Sequence, residues 1–245
     1  MNRTDLTDKE LEGYLEARNF AKGAGKEIVS RIKTGMNEKE IEDIAYDVFR
    51  TSGIKQHWHM PVIGVGKGST KLKDMYTLMS SYMTKHTRTL LENDIVLIDI
   101  APVYNGYPAD YTISHVTGSN PDLEALAAYA HDVSYMIAGY VKQGKVVADV
   151  FQHAKELIKA KPEYTLALPP LISMGHRLCR IPPLWQRFPE PGLTYLLLRG
   201  RSFISSGNSA QMSRLWVIEP YLMYKERAAK FEVLVHVGEE TMILD

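Results

Sequence analysis

Apolar residues recur along this chain in two periods, and the alternation between them divides it into helix pairs and strand groups. Leu11, Leu15, Phe20, Ala21, Ala24, Ile28 and Ile32 repeat at helical spacing, which predicts a helix capped by Thr4 or Thr7 and finished by Gly35. Ile41, Ile44, Ala45 and Val48 predict a second helix over about Glu38 to Thr51, with Gly53 as its stop. The period then changes. Gly64, Gly66 and Gly68 lack the basic-hydroxyl signature of a phosphate loop and read as a turn, and Lys71 to Thr89 fits either a loop or a short helix. From Asn93 to Gly118 the run Ile95, Val96, Leu97, Ile98 and Ile100 makes a strand, Asn105-Gly106 is a favoured hairpin turn, and Tyr107 to Thr117 returns.

The same order follows again. Helices are predicted from Asn120 or Asp122 to Tyr140 and from Val146 to Ala160. An apolar stretch at Thr165 to Met174 holds Pro169-Pro170, and strands run over Leu215 to Glu219 and Phe231 to Val235. Between them, Ile181 to Arg214 is rich in Pro, Gly, Ser and Arg around an apolar island at Leu193 to Leu198, which reads as a long loop, either a lid or binding segment or else a dimer contact or flexible surface loop. Helix pair then strands, twice, predicts one α+β domain over residues 1–245, with two similar halves that share no evident sequence identity.

Acids interrupt the strands where apolar side chains belong. With Asn105-Gly106 as the loop, Asp99 faces Thr112 and Ala101 faces Asp110, so Asp99 and Asp110 share one face as diagonal neighbours roughly 7–8 Å apart at Cα. Two carboxylates that close, in a largely buried strand, call for a cation between them, and a metal ion is the simplest one; the alternative, which a lone Asp would favour, is that Asp99 caps a turn or pairs with a basic residue. Pro102 and Pro108 donate nothing to the ladder, and a bulge beside either would change this register. Glu219 and Glu232 repeat the device: a hairpin about Lys225-Glu226 sets them opposite each other. His57 and His59, two apart, would share one face of a strand, where they suit a metal or a substrate carboxylate as well as a plain packed strand around Trp58.

Composition narrows the function without choosing it. Across 245 residues, 29 basic and 29 acidic side chains cancel, so no global field draws the chain to nucleic acid or an anionic membrane. The charged start and the lack of a long apolar run predict no secretory signal and no membrane span. With the single Cys179 they point to the cytoplasm.

The ordered set Asp99, Asp110, His176, Glu219 and Glu232 resembles the dinuclear site of the methionine aminopeptidase, Xaa-Pro aminopeptidase and creatinase superfamily. The matching pieces are IDIAPVYNGYPADYT, Gly175-His176, Ile218-Glu219-Pro220 and Phe231-Glu232, which together span nearly the whole chain. The resemblance implies the pita-bread fold, with helices packed on a curved antiparallel sheet. It also implies two divalent ions bridged by Asp110 and Glu232, Asp99 chelating one while His176 and Glu219 complete the other, and a metal-activated water as nucleophile. Four carboxylates and one imidazole suit Mn or Fe and accept Co or Zn.

Departures from the family pattern lie around these ligands. Arg177-Leu178-Cys179-Arg180 stands where the family usually carries Gly-Ile-Gly and a second histidine. Ser80, Ser81 and Tyr82 occupy the region of a usual substrate-facing histidine, and Ile113-Ser114-His115 replaces a usual Arg-Thr-Phe. His59, and with it His57, are the candidates to supply the missing catalytic imidazoles. Arg177, Arg180, Arg187, Arg199 and Arg201 suggest a small carboxylated amide or dipeptide-sized substrate. A creatinase-like or specialised-metabolism activity, and a non-catalytic binding protein, are the alternatives on the same fold. A homodimer is compatible with all three.

Overall fold

The computed structural model describes residues 5–73, 84–167, 174–188 and 190–245. Ser80, Ser81, Tyr82 and Pro169-Pro170 therefore lie outside the described residues. Helix α1 (Asp8–Arg31) starts where the Thr7 side chain accepts from the Glu10 N–H while the Glu10 carboxylate accepts from the Thr7 N–H. Asn37 and Glu40 begin α2 (Glu38–Thr51) in the same reciprocal way. Both helices lie on a sheet made of β1 (His57–Val65), β2 (Ile95–Tyr104), β3 (Tyr107–Pro108) and β4 (Tyr111–Val116), in which β2 is paired on one side with β1 and on the other with β4. Side-chain alternation along β2 divides its buried residues. Val96, Ile98 and Ile100 pack with Ala21, Ile28, Ile41 and Phe49 of the helices, whereas Leu97, Asp99 and Ala101 face the other way, toward the second half of the chain.

That second half repeats the construction. Asn120 caps α3 (Pro121–Tyr140), with Pro121 in the first turn where its missing N–H is no loss, and α4 (Val147–Lys159) follows. Leu126, Val133, Ile137, Val150 and Phe151 of these helices pack with Trp216, Ile218, Val233 and Val235. The strands are β5 (Thr165–Leu166), β6 (Gly175–Arg177), β7 (Arg214–Ile218), β8 (Tyr221–Tyr224), β9 (Arg227–Lys230), β10 (Val233–Val237) and β11 (Thr241–Ile243). They form one sheet in the order β11-β10-β7-β6 and another in the order β5-β8-β9, and every strand pairing is antiparallel. A third apolar cluster, with Trp58, Ala101, Leu178, Val217 and Leu234, joins the inner faces of the two halves.

The hairpin registers follow the parity read from the sequence. Asp99 pairs with Thr112, and Asn105 and Gly106 both take positive φ, as a two-residue turn of this kind requires. In the second half Tyr221 pairs with Lys230 and Ile218 with Val233, so Glu219 and Glu232 stand between two pieces of one continuous register.

Two expectations change. Pro191 opens a further helix, α5 (Pro191–Arg199), and a single 3-10 turn spans Trp185–Arg187, so the segment expected as a long loop is partly ordered. Pro pre-sets the first helical φ, and Leu and Arg sustain the turns until Gly200 at φ 56° ends them. Of the apolar island only Leu196 is fully buried, while Leu197 and Leu198 are 62% and 67% exposed. The second change lies on β1. Its pairing with β2 shifts between His57 and His59 and again between His59 and Val62, because two residues of β1 oppose one of β2 beside Pro102, which has no N–H to give. Among the described residues no helix is long and apolar enough to cross a membrane.

Candidate metal centre

The inner faces of the two halves bring four carboxylates and two imidazoles together. Asp99 projects from the middle of β2, and Asp110 sits at the break between β3 and β4. The bulge in β1 turns His59 toward them, so that its Nε2 lies 3.2 Å from Asp110 Oδ1 and 3.4 Å from Asp99 Oδ1. From the second half, His176 on β6 places its Nε2 3.1 Å from Asp110 Oδ2 and 3.3 Å from Glu219 Oε1. Glu232, at the break between β9 and β10, accepts a 2.6 Å hydrogen bond from Thr112 Oγ1 of β4. All five ligands expected from the sequence thus converge on one region.

A seventh titratable group, an ammonium, lies among them. Lys230 Nζ is 2.7 Å from Asp99 Oδ2, 2.6 Å from Glu219 Oε2 and 2.7 Å from Glu232 Oε1. Ser114 holds its backbone: Lys230 N–H donates to Ser114 Oγ and Ser114 Oγ donates to the Lys230 carbonyl, each at 3.0 Å. Arg18 of α1 joins the halves from behind. Its guanidinium, 1% exposed, donates to the backbone carbonyls of Asp110 and Glu232.

Burial makes these charges strongly interdependent. Burial works against a charged imidazole, yet the Asp99 and Asp110 carboxylates raise His59 well above its ordinary value, and Glu219 with Asp110 raises His176 to about 9. Asp110 moves the opposite way: burial alone would raise it, but His176 and His59 hold it well below the usual carboxylate range. Glu232 is pushed up to about 8 by burial and by the Asp110 charge, against the pull of Lys230. Lys230 itself rises well above its ordinary value, the three carboxylates outweighing burial.

The donor set suits a cation. Glu232 Oε2 is buried without a hydrogen-bond partner, and Asp99 Oδ1 and Asp110 Oδ2, which lack an aligned one, lie 3.4 Å and 3.1 Å from the His59 and His176 Nε2 atoms, so all three need a positive charge beside them. One atom each from His59, Asp99 and Asp110 falls within 4.8 Å of the others, and this is the one such trio among the described residues. Each imidazole is also oriented for ligation. Nδ1–H of His59 donates to the Met60 carbonyl at 2.6 Å and Nδ1–H of His176 to the Arg177 carbonyl at 3.0 Å, so in the neutral ring Nε2 carries the free lone pair.

His57 does not join this group. The bulge at Trp58 undoes the period-two alternation, and His57 instead packs edge-on to Tyr46 with a ring separation of 6.3 Å. Burial, and then the charge of His59, lower its basicity. It lines a cavity of about 230 Å³ together with Lys55, Trp58 and Arg180. The arginines separate in a similar way: Arg177, Arg180, Arg199 and Arg201 border another cavity of about 870 Å³, which none of the five expected ligands lines.

Sequence reasoning missed Lys230, whose signal was its place two residues before Glu232 on the same strand face. It also missed the packing of Trp58, whose indole stacks on His176 at 5.0 Å and 9° and donates to the Cys179 carbonyl. Gly192 of α5 lies so close that a Cβ there would be 2.0 Å from Trp58 Cδ2. Glu190, which accepts from the Met60 N–H, is raised by burial, and its link to His59 could not be anticipated from so distant a position in the chain.

Comparison with known proteins places this arrangement. The sequence profile of metallopeptidase family M24 matches residues 12–239. No curated protein sequence matches significantly. Among solved structures, X-Pro aminopeptidase from Thermotoga maritima is similar at TM-score 0.74 with 19% identity, over 99% of this chain and 62% of its own. Prolidase from Pyrococcus furiosus is similar at TM-score 0.74 with 19% identity, over 99% and 65% respectively. Methionine aminopeptidase from Thermotoga maritima is similar at TM-score 0.69 with 17% identity, over 100% and 99%. The chain therefore spans less than two thirds of the first two structures and nearly all of the third. The pita-bread fold expected from the sequence is the fold found.

Proposed function

Because the chain belongs to metallopeptidase family M24, we propose that it is a metal-dependent hydrolase of small amide or dipeptide-sized substrates. Its metal centre is built from Asp99, Asp110, His176, Glu219 and Glu232, and His59 joins them as a ligand. The observation that carries this reading is the shared posture of the two imidazoles: each Nδ1–H is committed to a neighbouring carbonyl, and each Nε2 approaches Asp110. A divalent ion held there supplies Lewis-acid polarisation of the scissile carbonyl and lowers the pKa of water. The chain's own part is to fix the ligands. Arg18 sets the spacing of the Asp110 and Glu232 backbones, Thr112 orients the Glu232 carboxylate, and stacking on Trp58 fixes the plane of His176. In this assignment His59 acts as a ligand instead of the catalytic imidazole expected from the sequence, and His57 is left to the wall of the neighbouring cavity.

That cavity supports the choice of substrate. None of the proposed ligands lines it, but Trp58, which stacks on His176, does; at about 230 Å³ it admits a small group, and Lys55 and Arg180 on its wall suit a carboxylate. The lone Cys179 supports a cytosolic setting. Protein purified without chelator and loaded with Mn(II) is expected to hydrolyse members of a dipeptide and N-acyl amino acid panel, and to cleave long methionine-initiated peptides poorly. Wild-type protein that holds no metal after loading would overturn this assignment in favour of the binding-protein alternative. That second reading is favoured by one observation, the ion pairs that Lys230 makes with three of the four carboxylates without a metal ion.

A further inference from the structure

Lys230 places a permanent positive charge inside the ligand cluster. Its ammonium has three N–H donors, and three carboxylates lie within ion-pair distance, one from β2 of the first half and two from the second. The side chain is 7% exposed, and Ser114 holds the Lys230 backbone through both its N–H and its carbonyl. The oxygens it engages are Asp99 Oδ2, Glu219 Oε2 and Glu232 Oε1. Those it leaves unserved include Asp99 Oδ1, on the side of His59.

The two ends of the cluster are consequently unequal. His59, Asp99 and Asp110 already present a compact trio with one ligand atom each, and Lys230 does not touch the oxygens that face His59. At the other end, an ion drawing on Glu219 and Glu232 must share both carboxylates with an ammonium 2.6 Å and 2.7 Å away. Two dications and an ammonium in so small a buried volume repel one another strongly. The residues fit one divalent ion and do not fit two.

Resting on the metal-site reading above, we propose that the centre is mononuclear: one divalent ion sits at His59, Asp99 and Asp110, and Lys230 is the built-in second cation. The ammonium holds Glu219 and Glu232 in place and offsets their charge, but it offers no coordination position. This departs from the two-ion centre that the family resemblance implies. It assigns to Lys230 a positioning role, holding Asp99, Glu219 and Glu232 together.

The test is metal stoichiometry on the full chain, loaded with excess Mn(II), desalted and assayed by elemental analysis and EPR. Wild type is expected to retain one Mn per chain, with the signal of an isolated ion. Lys230→Gln is expected to retain two, with the signal of a coupled pair, and Lys230→Arg to retain one. Two ions or a coupled signal in wild type would overturn the inference while leaving the metal-site reading intact. One ion in a folded Lys230→Gln protein would overturn the exclusion role of the lysine. No metal in any of the three would overturn both readings. Should Lys230→Gln fail to fold, the wild-type count and its EPR signal decide alone.

Discussion

The two hairpins that carry the ligands have nearly the same backbone plan and opposite electrostatic solutions. In each, a continuous antiparallel register is interrupted by carboxylate-bearing residues: Asp110 between β3 and β4, Glu219 and Glu232 where strands pass from one sheet to the other. The first hairpin sets its acids against His59, a group that can lose its proton and then offer a lone pair. The second sets its acids mainly against Lys230, which in these surroundings keeps its proton and reaches across to Asp99 of the first as well. The difference teaches that a duplicated architecture fixes where charge must be balanced without fixing what balances it. An imidazole makes a ligand, and an ammonium makes a fixed countercharge.

Removing each counter-cation should separate the two solutions. In chelator, Lys230→Ala is expected to lose about 3–5 kcal/mol of unfolding free energy, because several buried carboxylates lose their shared partner. His59→Ala should lose less, about 1–3 kcal/mol, since His176 still serves Asp110. Equal losses in urea denaturation would break the comparison.

A pH series on chelated wild-type protein sharpens it. The folded state raises His176 from 6.5 to about 9, so its stabilising contribution is complete below pH 6.5 and vanishes as pH climbs through 9. Glu232, pushed up to about 8, has the same sign: it favours the folded state most below pH 4.5 and ceases to do so as pH passes 8. The denaturation midpoint should therefore fall between pH 6.5 and 9, by on the order of 3 kcal/mol in free energy. A midpoint that rises over this interval would contradict the assignment of both groups.

The smallest effect concerns the wall between the halves. Gly192→Ala forces a methyl group into the Trp58 ring and is expected to destabilise by about 1–3 kcal/mol. Near-UV circular dichroism should show a changed Trp environment. An unperturbed spectrum with unchanged stability would mean that α5 is free to lift away from Trp58.

Local signals carried most of what could be read from the sequence. Thr7, one of two caps offered for the first helix, announces it through only three following residues, and Asn105-Gly106 fixes a register that places Asp99 opposite Thr112. Same-face parity of Glu219 and Glu232 was legible for the same reason. The bulge that separates His57 from His59 was not, because it answers to Pro102 on another strand. Lys230 was hidden by prior expectation: a lysine beside apolar residues normally extends to solvent, and only the docking of β2 against β9 turns its head inward. The chain answers part of the expected need for a cation between carboxylates from its own Lys230.

Arg18 has a consequence for the order in which the molecule is made. Its guanidinium grips carbonyls 92 and 214 residues further along the sequence, so the spacing it sets between Asp110 and Glu232 belongs only to a chain whose last strands have docked. Contacts this distant in sequence are the slow ones to form, because large loops must close before anything is gained. During synthesis the first half emerges with Asp99 and Asp110 but without Glu232, and a folding intermediate that lacks β10 has no anchor for the Arg18 clamp. The finished centre is therefore a late product of folding, and ions met along the way find separate carboxylates instead of an assembled site.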